Sequence, residues 1–140
     1  MTRKRLFAVH DDFTDALLVG VRIGHLQATV ALVLSPYDSD QPGGEGLLTT
    51  LTFREVQEFS ITNGFTGDQL AELPSLGTDL NEISGVWEEI ESDRLEPYGS
   101  EFGAGVFRHF VVGWEISPRR RVDIVSRHVD LTMPGPGPGE

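Results

Sequence analysis

Hydrophobic residues recur at every second position over much of this chain, a spacing that differs from the 3.6-residue period of a helix. The alternation is clearest at residues 17–23 and 26–34. Because successive side chains of a strand point to opposite faces of a sheet, both segments are predicted strands. Gly24 and His25 lie between them, and glycine at the first central position favours a two-residue type II′ turn. The two strands therefore form a predicted hairpin.

The middle of the chain continues this pattern with one change of parity. Residues 35–46 are rich in Pro, Gly and Asp and form a predicted loop. Alternation resumes at residues 47–53 and continues after Arg54 and Glu55 on the opposite parity. A β-bulge or a tight corner in the predicted strand would explain the slip.

One short helix is predicted between the strands. Asn63-Gly64 marks a turn, and residues 67–73 follow it as the predicted helix. Asp68 is the expected N-cap, and Pro74 is the expected end of the helix.

The C-terminal part of the chain predicts a further hairpin. Alternate residues from 106 to 116 share one apolar face, and residues 118–121 form the expected tip. A last strand begins at Val122 and continues on the other parity after Ile124.

These segments predict a mainly β protein with six to nine strands and at most one or two short helices. The expected fold is a single-domain antiparallel β-sandwich or a strongly curved sheet. A parallel α/β fold is disfavoured, because a short hairpin connection has no room for a crossover. Residues 1–133 are the expected domain, and the Pro/Gly-rich residues 134–140 are expected to be disordered.

Composition excludes several classes of site. The chain of 140 residues has no cysteine, which rules out disulfides, thiolate metal sites and cysteine nucleophiles. Neither a signal-peptide core nor a long apolar run is found, so a cytoplasmic protein without membrane association is expected. Phosphate-binding, dinucleotide-binding and hydrolase motifs are likewise absent from the sequence, and no cofactor is expected.

The negative charge is concentrated in one part of the chain. The net charge is −11, but residues 38–101 have a net charge of −13 and the remainder has +2. Such a charge repels phosphate backbones and argues against a nucleic-acid ligand. It favours a basic protein partner, because complementary charge accelerates association.

The densest acidic stretch predicts a partner-binding surface in which aromatic residues are buried anchors. The candidate residues are Glu82, Trp87, Glu88, Glu89, Glu91, Asp93, Glu96 and Tyr98. An alternative is a solvated edge whose like charges prevent aggregation. Another is a divalent-cation site built from Asp79, Glu82, Glu88 and Glu89, although this stretch lacks the spacing of an EF-hand loop.

Two further functions remain open at this point. A small enzyme or ligand-binding protein would use His10, Asp11 and Asp12, with His109 as a further candidate. His109 and His128 lie on the last two predicted strands, where a cross-strand pair is an alternative. A structural homodimer formed through an exposed strand edge is the third function considered.

The order of several features resembles the bacterial immunity protein 50 family. The resemblance rests on His10-Asp11, the hairpin of residues 17–34, the segment 51–61 (LTFREVQEFSI) and the strand 122–125. It covers about two thirds of the chain and omits the acidic stretch of residues 80–102. The resemblance implies a cytoplasmic antidote that binds and blocks a partner toxin, and it implies no catalytic residues.

Overall fold

The computed structural model describes residues 2–4, 13, 15–35, 48–76, 82–114 and 119–132. Within these residues the chain forms nine strands and two α-helices. The strands are β1 (Thr2–Lys4), β2 (Leu17–Gly24), β3 (Thr29–Ser35), β4 (Thr49–Arg54), β5 (Glu58–Thr62), β6 (Ile83–Ile90), β7 (Arg108–Trp114), β8 (Arg121–Ser126) and β9 (His128–Thr132). The helices are α1 (Gly67–Leu76) and α2 (Glu96–Phe102), and a 3₁₀ turn (Asp93–Leu95) leads into α2.

The strands form two antiparallel sheets. The larger sheet has five strands in the order β1-β6-β7-β8-β5, and the smaller sheet has four in the order β2-β3-β4-β9. Their inner faces share one apolar core. This arrangement confirms the predicted antiparallel β-sandwich.

The core lies between the two sheets and is built from alternate positions of their strands. Phe53 of β4 and Phe110 of β7 meet across it with ring centroids 5.2 Å apart. Full burial of one such side chain stabilises the fold by about 1.5–3 kcal/mol. The buried core residues are Phe13, Ala16, Val30, Leu32, Leu34, Leu51, Phe53, Ile83, Val86, Phe110, Val112, Trp114, Val122 and Ile124.

The parity change at Arg54 and Glu55 is a corner at which the chain crosses from the smaller sheet to the larger. β4 ends at Arg54, and Glu55 adopts a φ of 53° before β5 begins. A second crossing at Arg127 returns the chain from β8 to β9. The two crossings are adjacent, since the Arg127 N–H donates to the Arg54 carbonyl oxygen at 3.2 Å. Each change of sheet reverses the side of the strand that faces the core.

The single last strand predicted from Val122 onward is therefore two strands, β8 and β9, in different sheets. The first hairpin also differs from the prediction, because residues 25–28 form a four-residue turn and Gly24 pairs with Thr29. Ala28 adopts a φ of 51°, and its carbonyl oxygen accepts the Val56 N–H at 2.8 Å. That bond holds the tip of the hairpin against the first crossing.

Helix α1 is capped by Thr66 rather than by Asp68. The Gln69 N–H donates to Thr66 Oγ1 at 3.2 Å, and the Thr66 N–H donates to Gln69 Oε1 at 2.9 Å. This reciprocal capping box satisfies two backbone donors at once. The prediction that the helix ends at Pro74 was also wrong, because α1 continues to Leu76.

Strand β2 forms one edge of the smaller sheet and exposes the apolar side chains of Val19, Val21 and Ile23. Beyond the bridge of Leu17 to Glu82, no described strand pairs with the outer side of β2. An apolar edge of this kind is where a strand-mediated homodimer would form, and the homodimer stays a prediction.

Several predicted features lie outside the described residues. They are most of the loop at residues 35–46, residue 118 at the tip of the last hairpin, and the tail at residues 134–140. Among the helices that are described, none has the length and apolar character needed to cross a membrane.

Candidate functional site

The outer face of the larger sheet carries a largely buried group of polar side chains, here termed the polar cluster: Glu89, Ser92, His109, Asp123 and the partly exposed Arg121. Alternation along β6, β7 and β8 directs Glu89, His109 and Asp123 to this face, while Phe110, Val122 and Ile124 point into the core. Glu89 lies directly opposite His109 in the register. Glu89, Ser92, His109 and Asp123 are all buried. Burial of so many polar groups is costly unless they bond to one another.

His109 is held between Asp123 and Ser92. Its Nε2 lies 2.7 Å from Asp123 Oδ1, and its Nδ1 lies 2.6 Å from Ser92 Oγ. An ionised carboxylate can only accept hydrogen bonds, so Nε2 carries the hydrogen. In the uncharged ring, Nδ1 then accepts the hydroxyl hydrogen of Ser92, and this tautomer is assigned from the bonding network.

Asp123 is kept ionised by its neighbours. Burial would raise the pKa of its carboxyl, but hydrogen bonds from Arg121 and His109 outweigh that effect and hold the pKa below its usual range. Arg121 NH2 lies 2.6 Å from Asp123 Oδ1, and this hydrogen bond raises the pKa of the guanidinium. Arg94 adds a more distant charge at 3.7 Å. The pair is therefore charged on both sides across the physiological range.

The acidic stretch that follows β6, residues 91–102, lies over this face of the sheet and is here termed the cover. Ser92 caps the 3₁₀ turn, because its Oγ accepts the Arg94 N–H at 3.2 Å. Arg94 NH1 and Tyr98 OH both donate to Glu58 of β5, at 3.2 and 2.5 Å. The bond to Glu58 raises the pKa of Tyr98 to about 12, so the phenol stays protonated and remains a donor. The cover thus joins the end of β6 to the far edge of the sheet.

A pocket of about 600 Å³ opens beside this cover, at the end of β6. We call it the acidic pocket, after the five carboxylates among its lining residues: Glu88, Glu89, Glu91, Asp93 and Glu96. Ile90, Leu95 and Phe107 contribute apolar surface. The remaining lining is mostly glycine and alanine of the 99–105 segment, whose small side chains leave the space open.

The five carboxylates differ in how they are paired. Glu88 forms a bidentate pair with Arg108, at 2.7 and 3.1 Å, and this pair neutralises its charge. Glu91, Asp93 and Glu96 are exposed and have no ion pair with another described residue. The rim of the pocket is therefore strongly negative.

Glu89 is 6% exposed, and one of its oxygens is unsatisfied. Its Oε1 lies 3.6 Å from Arg121 NH2, and its Oε2 lies 3.9 Å from His109 Nδ1, which is too long for a hydrogen bond. Within the described part of the chain, Oε2 accepts no hydrogen bond. A buried acceptor without a donor costs about 1–3 kcal/mol, and more when it is charged.

A second, smaller pocket of about 320 Å³ opens onto the polar cluster. It shares Glu89, Ser92 and Asp93 with the acidic pocket, and Arg94 also lines it. Glu89 thus lies where the two spaces meet.

The structure brings five of the eight predicted partner-binding residues together at the acidic pocket: Glu88, Glu89, Glu91, Asp93 and Glu96. Glu82 lies before β6, in a bridge with Leu17. Trp87 lies against Gly113, where an added Cβ would be 2.6 Å from its Cη2. Tyr98 is bonded to Glu58. Neither aromatic residue lines the acidic pocket.

The other predicted functional residues do not form the sites that the sequence suggested within the described part of the chain. His10, Asp11 and Asp12 lie outside the described residues. A cross-strand pair of His109 and His128 does not form, because β7 and β9 belong to different sheets. His128 is exposed and lies 3.4 Å from Glu55.

The divalent-cation alternative finds no support among the described residues, where no group of three or more potential metal ligands occurs. Asp79 lies outside them. Glu88 and Glu89 are consecutive in β6 and so point to opposite faces of the sheet.

Sequence reasoning did not identify Ser92 or Asp123 and did not connect either with His109. The available signal was the sequence of β7, where a histidine directly precedes the apolar residues 110–114. A histidine in such a strand needs buried partners, but its partners are distant in sequence.

No family model, curated protein or solved structure matches this chain.

Proposed function

We propose that this chain is a non-enzymatic, cytoplasmic binding protein that receives basic side chains of a protein partner in its acidic pocket and thereby blocks that partner. The observation that carries this proposal is the pocket itself, a concave space lined by five carboxylates of which only Glu88 and Glu89 have an arginine within 4 Å among the described residues. The resemblance to bacterial immunity proteins supports a toxin as the blocked partner.

The charge of the rim gives the expected mechanism of association. Glu91, Asp93 and Glu96 stand at the opening, and none of them forms an ion pair with another described residue. A concave surface of one sign focuses the field and raises the association rate of an oppositely charged partner. Since exposed charges are screened by ions, the affinity should fall as salt is added.

The test uses a fluorescein-labelled peptide of alternating lysine and glycine as the probe, with fluorescence anisotropy of the full chain at low and high salt. The double variant Glu91→Lys/Glu96→Lys should weaken binding at low salt by at least about tenfold, equivalent to about 1.4 kcal/mol. The control Asp68→Lys/Glu101→Lys makes the same change in net charge at exposed positions outside the pocket lining. It should change the affinity by no more than about twofold, or about 0.4 kcal/mol.

Equal losses in the two variants would mean that net charge, rather than the pocket, attracts the peptide, and would refute the proposal. We avoid Lys at Glu88 and Glu89 in this test. Glu88 is paired with Arg108 and Glu89 is buried, so charge reversal there would perturb the fold.

A second candidate function is supported by the hydrogen-bonded chain from Ser92 through His109 to Asp123. A histidine that accepts a serine hydroxyl and donates to an aspartate is the arrangement that activates a serine nucleophile in hydrolases. Here, however, Ser92 is 8% exposed and its Oγ already accepts a backbone N–H. A network with all its bonds made is explained by its structural role in holding the cover.

Labelling with a fluorophosphonate probe separates the two functions. Modification of Ser92 that disappears in His109→Gln would establish the hydrolase and refute a purely non-enzymatic role. An unmodified Ser92 in the folded wild-type protein would exclude the hydrolase.

A further inference from the structure

The unsatisfied Oε2 of Glu89 needs a hydrogen-bond donor, and the nearby donors of the polar cluster are already committed. Arg121 bonds to Asp123 at 2.6 Å and approaches Glu89 Oε1 at 3.6 Å. His109 uses its Nε2 hydrogen for Asp123, and in the uncharged ring its Nδ1 accepts from Ser92. The tautomer imposed by Asp123 therefore leaves no N–H directed at Glu89.

The chemistry around Glu89 points to a cation with several N–H groups. A buried carboxylate oxygen attracts a charged donor, and the carboxylates of Glu91, Asp93 and Glu96 supply further acceptors at the rim. A metal ion is a poor match, because the described residues contain no group of three potential ligands. An organic cation is the remaining class.

Between the two cationic side chains of proteins, a guanidinium fits this pocket better than an ammonium. A guanidinium presents a planar fork of donors, is weakly hydrated and stacks on aromatic rings. Phe107, Leu95 and Ile90 supply apolar surface for that plane and for the aliphatic stem. An ammonium is strongly hydrated, so moving it to the buried Glu89 costs more.

The volume of the pocket suits a side chain that arrives on a peptide. At about 600 Å³ it falls within the range of about 300–1,000 Å³ that is typical of ligand pockets. It exceeds what one arginine side chain fills, so neighbouring residues of the partner also fit inside.

We infer that the acidic pocket selects arginine over lysine, with the guanidinium of a partner arginine donating to Glu89 Oε2. This inference rests on the proposed function and names the side chain that the pocket recognises.

The test compares two fluorescein-labelled peptides, one alternating arginine and glycine and one alternating lysine and glycine, by anisotropy on the full chain. The arginine peptide should bind about tenfold more tightly, a difference equivalent to about 1.4 kcal/mol. Glu89→Gln should remove this preference, so that the two peptides bind it with affinities within about twofold of each other. Glu91→Gln is the matched control, and it should weaken both peptides equally and preserve the preference.

Thermal unfolding without peptide is the second measurement. Glu89→Gln should unfold at the same temperature as the wild type or higher, because it removes a buried carboxylate whose Oε2 has no donor. A clear decrease would mean that the protein itself satisfies this carboxylate, and would overturn the inference.

The register also provides an internal control, because Arg3 of β1 pairs with Glu89. Arg3→Ala should leave the affinity for the arginine peptide within about twofold. A tenfold increase would show that Arg3 already occupies the site, and would overturn the inference that a partner supplies the guanidinium.

The two proposals fail in different ways. Equal affinity for the two peptides, still lost in Glu91→Lys/Glu96→Lys, overturns the selection of arginine and leaves the proposed function standing. No binding of either peptide overturns both.

Discussion

The two sheets of this sandwich use their outer faces differently. In the smaller sheet, β3 and β4 alternate between buried side chains that face the core and more exposed ones on the other side. In the larger sheet, β7 and β8 are buried on both faces beyond their first residues. The smaller sheet is therefore covered on one face, and the central strands of the larger sheet are covered on both faces.

Polar contacts attach the segment that follows β6 to the second face of the larger sheet. The segment that includes the 3₁₀ turn and α2 bonds to the sheet through Ser92, Arg94 and Tyr98. These polar groups need polar partners on the sheet, which are the buried His109 and Asp123 and the partly exposed Glu58. The candidate site exists because this cover stops short of filling the space above Glu89.

Two ion pairs of almost equal length illustrate the difference. Arg54 and Asp130 join β4 to β9 at 2.7 Å, and each side chain is 54% exposed. Arg121 and Asp123 lie 2.6 Å apart in the larger sheet, where the Asp123 side chain is 2% exposed and that of Arg121 is 36% exposed. Breaking a buried pair leaves an uncompensated charge, whereas water and salt replace a surface partner.

The largest expected effect is that of removing Asp123. Asp123→Ala leaves Arg121 and His109 Nε2 without their acceptor and should lower the free energy of unfolding by about 3–5 kcal/mol. Urea denaturation followed by tryptophan fluorescence measures this loss. A loss below about 1 kcal/mol would mean that the Asp123 pair contributes no more than an exposed ion pair. The ion pairs of the two sheets would then not differ in their contribution to stability.

The next effect concerns the packing of the outer face. In Gly113→Ala the added methyl would lie 2.6 Å from Trp87 Cη2, and such overpacking should cost about 1–3 kcal/mol of unfolding free energy. The matched control in the smaller sheet is Gly20→Ala, whose Cβ would lie at an ordinary 3.7 Å from Val33. Equal stability of the two variants would show that Trp87 can move aside.

Acid should weaken the larger sheet through Asp123. The pKa of Asp123 is lower in the folded protein than the unfolded value of about 3.9. The contribution of ionised Asp123 to the free energy of unfolding is therefore fully present above the unfolded value and is lost as pH falls through the folded pKa. The stability difference between the wild type and Asp123→Asn should be constant near neutrality and shrink below about pH 4. A difference that stays constant down to pH 2 would contradict this assignment.

The smallest expected effect is on the exposed pair. Asp130→Asn should change the free energy of unfolding by no more than about 0.5 kcal/mol, because the pair is screened by solvent. The same denaturation series measures it. A cost comparable to that of Asp123→Ala would show that exposure does not decide what these pairs contribute.

Much of the fold was predictable because it depends on local alternation. Residues 17–23 and 47–53 have an apolar side chain at every second position, and the structure has strands of the smaller sheet at Leu17–Gly24 and Thr49–Arg54. The parity slip at Arg54 marked the first crossing between the sheets. The change of parity after Ile124 was the same signal for the second crossing, and it was interpreted as one continuous strand.

The turn and the helix cap were predicted less well, since competing local signals were present. Gly24 suits a tight turn, but it pairs with Thr29 and the chain turns at residues 25–28. Asp68 is a good capping residue, but the reciprocal bonds of Thr66 and Gln69 place the cap two residues earlier.

The candidate site was partly visible in the sequence, since charge density alone brought Glu88, Glu89, Glu91, Asp93 and Glu96 together. Sequence could not distinguish among these five carboxylates. Their individual chemistry depends on Arg108, Arg121 and His109, which follow much later in the chain and approach only through the register of β6, β7 and β8.

Alternating hydrophobicity and the position of the acidic residues were thus enough to determine a β-sandwich with one strongly negative region, because both properties are local. Tertiary structure decided which carboxylate is buried, which is paired and which one has an unsatisfied oxygen. The reason is that hydrogen-bond satisfaction depends on residues brought together by strand pairing, and no neighbour in sequence supplies a donor to Glu89 Oε2.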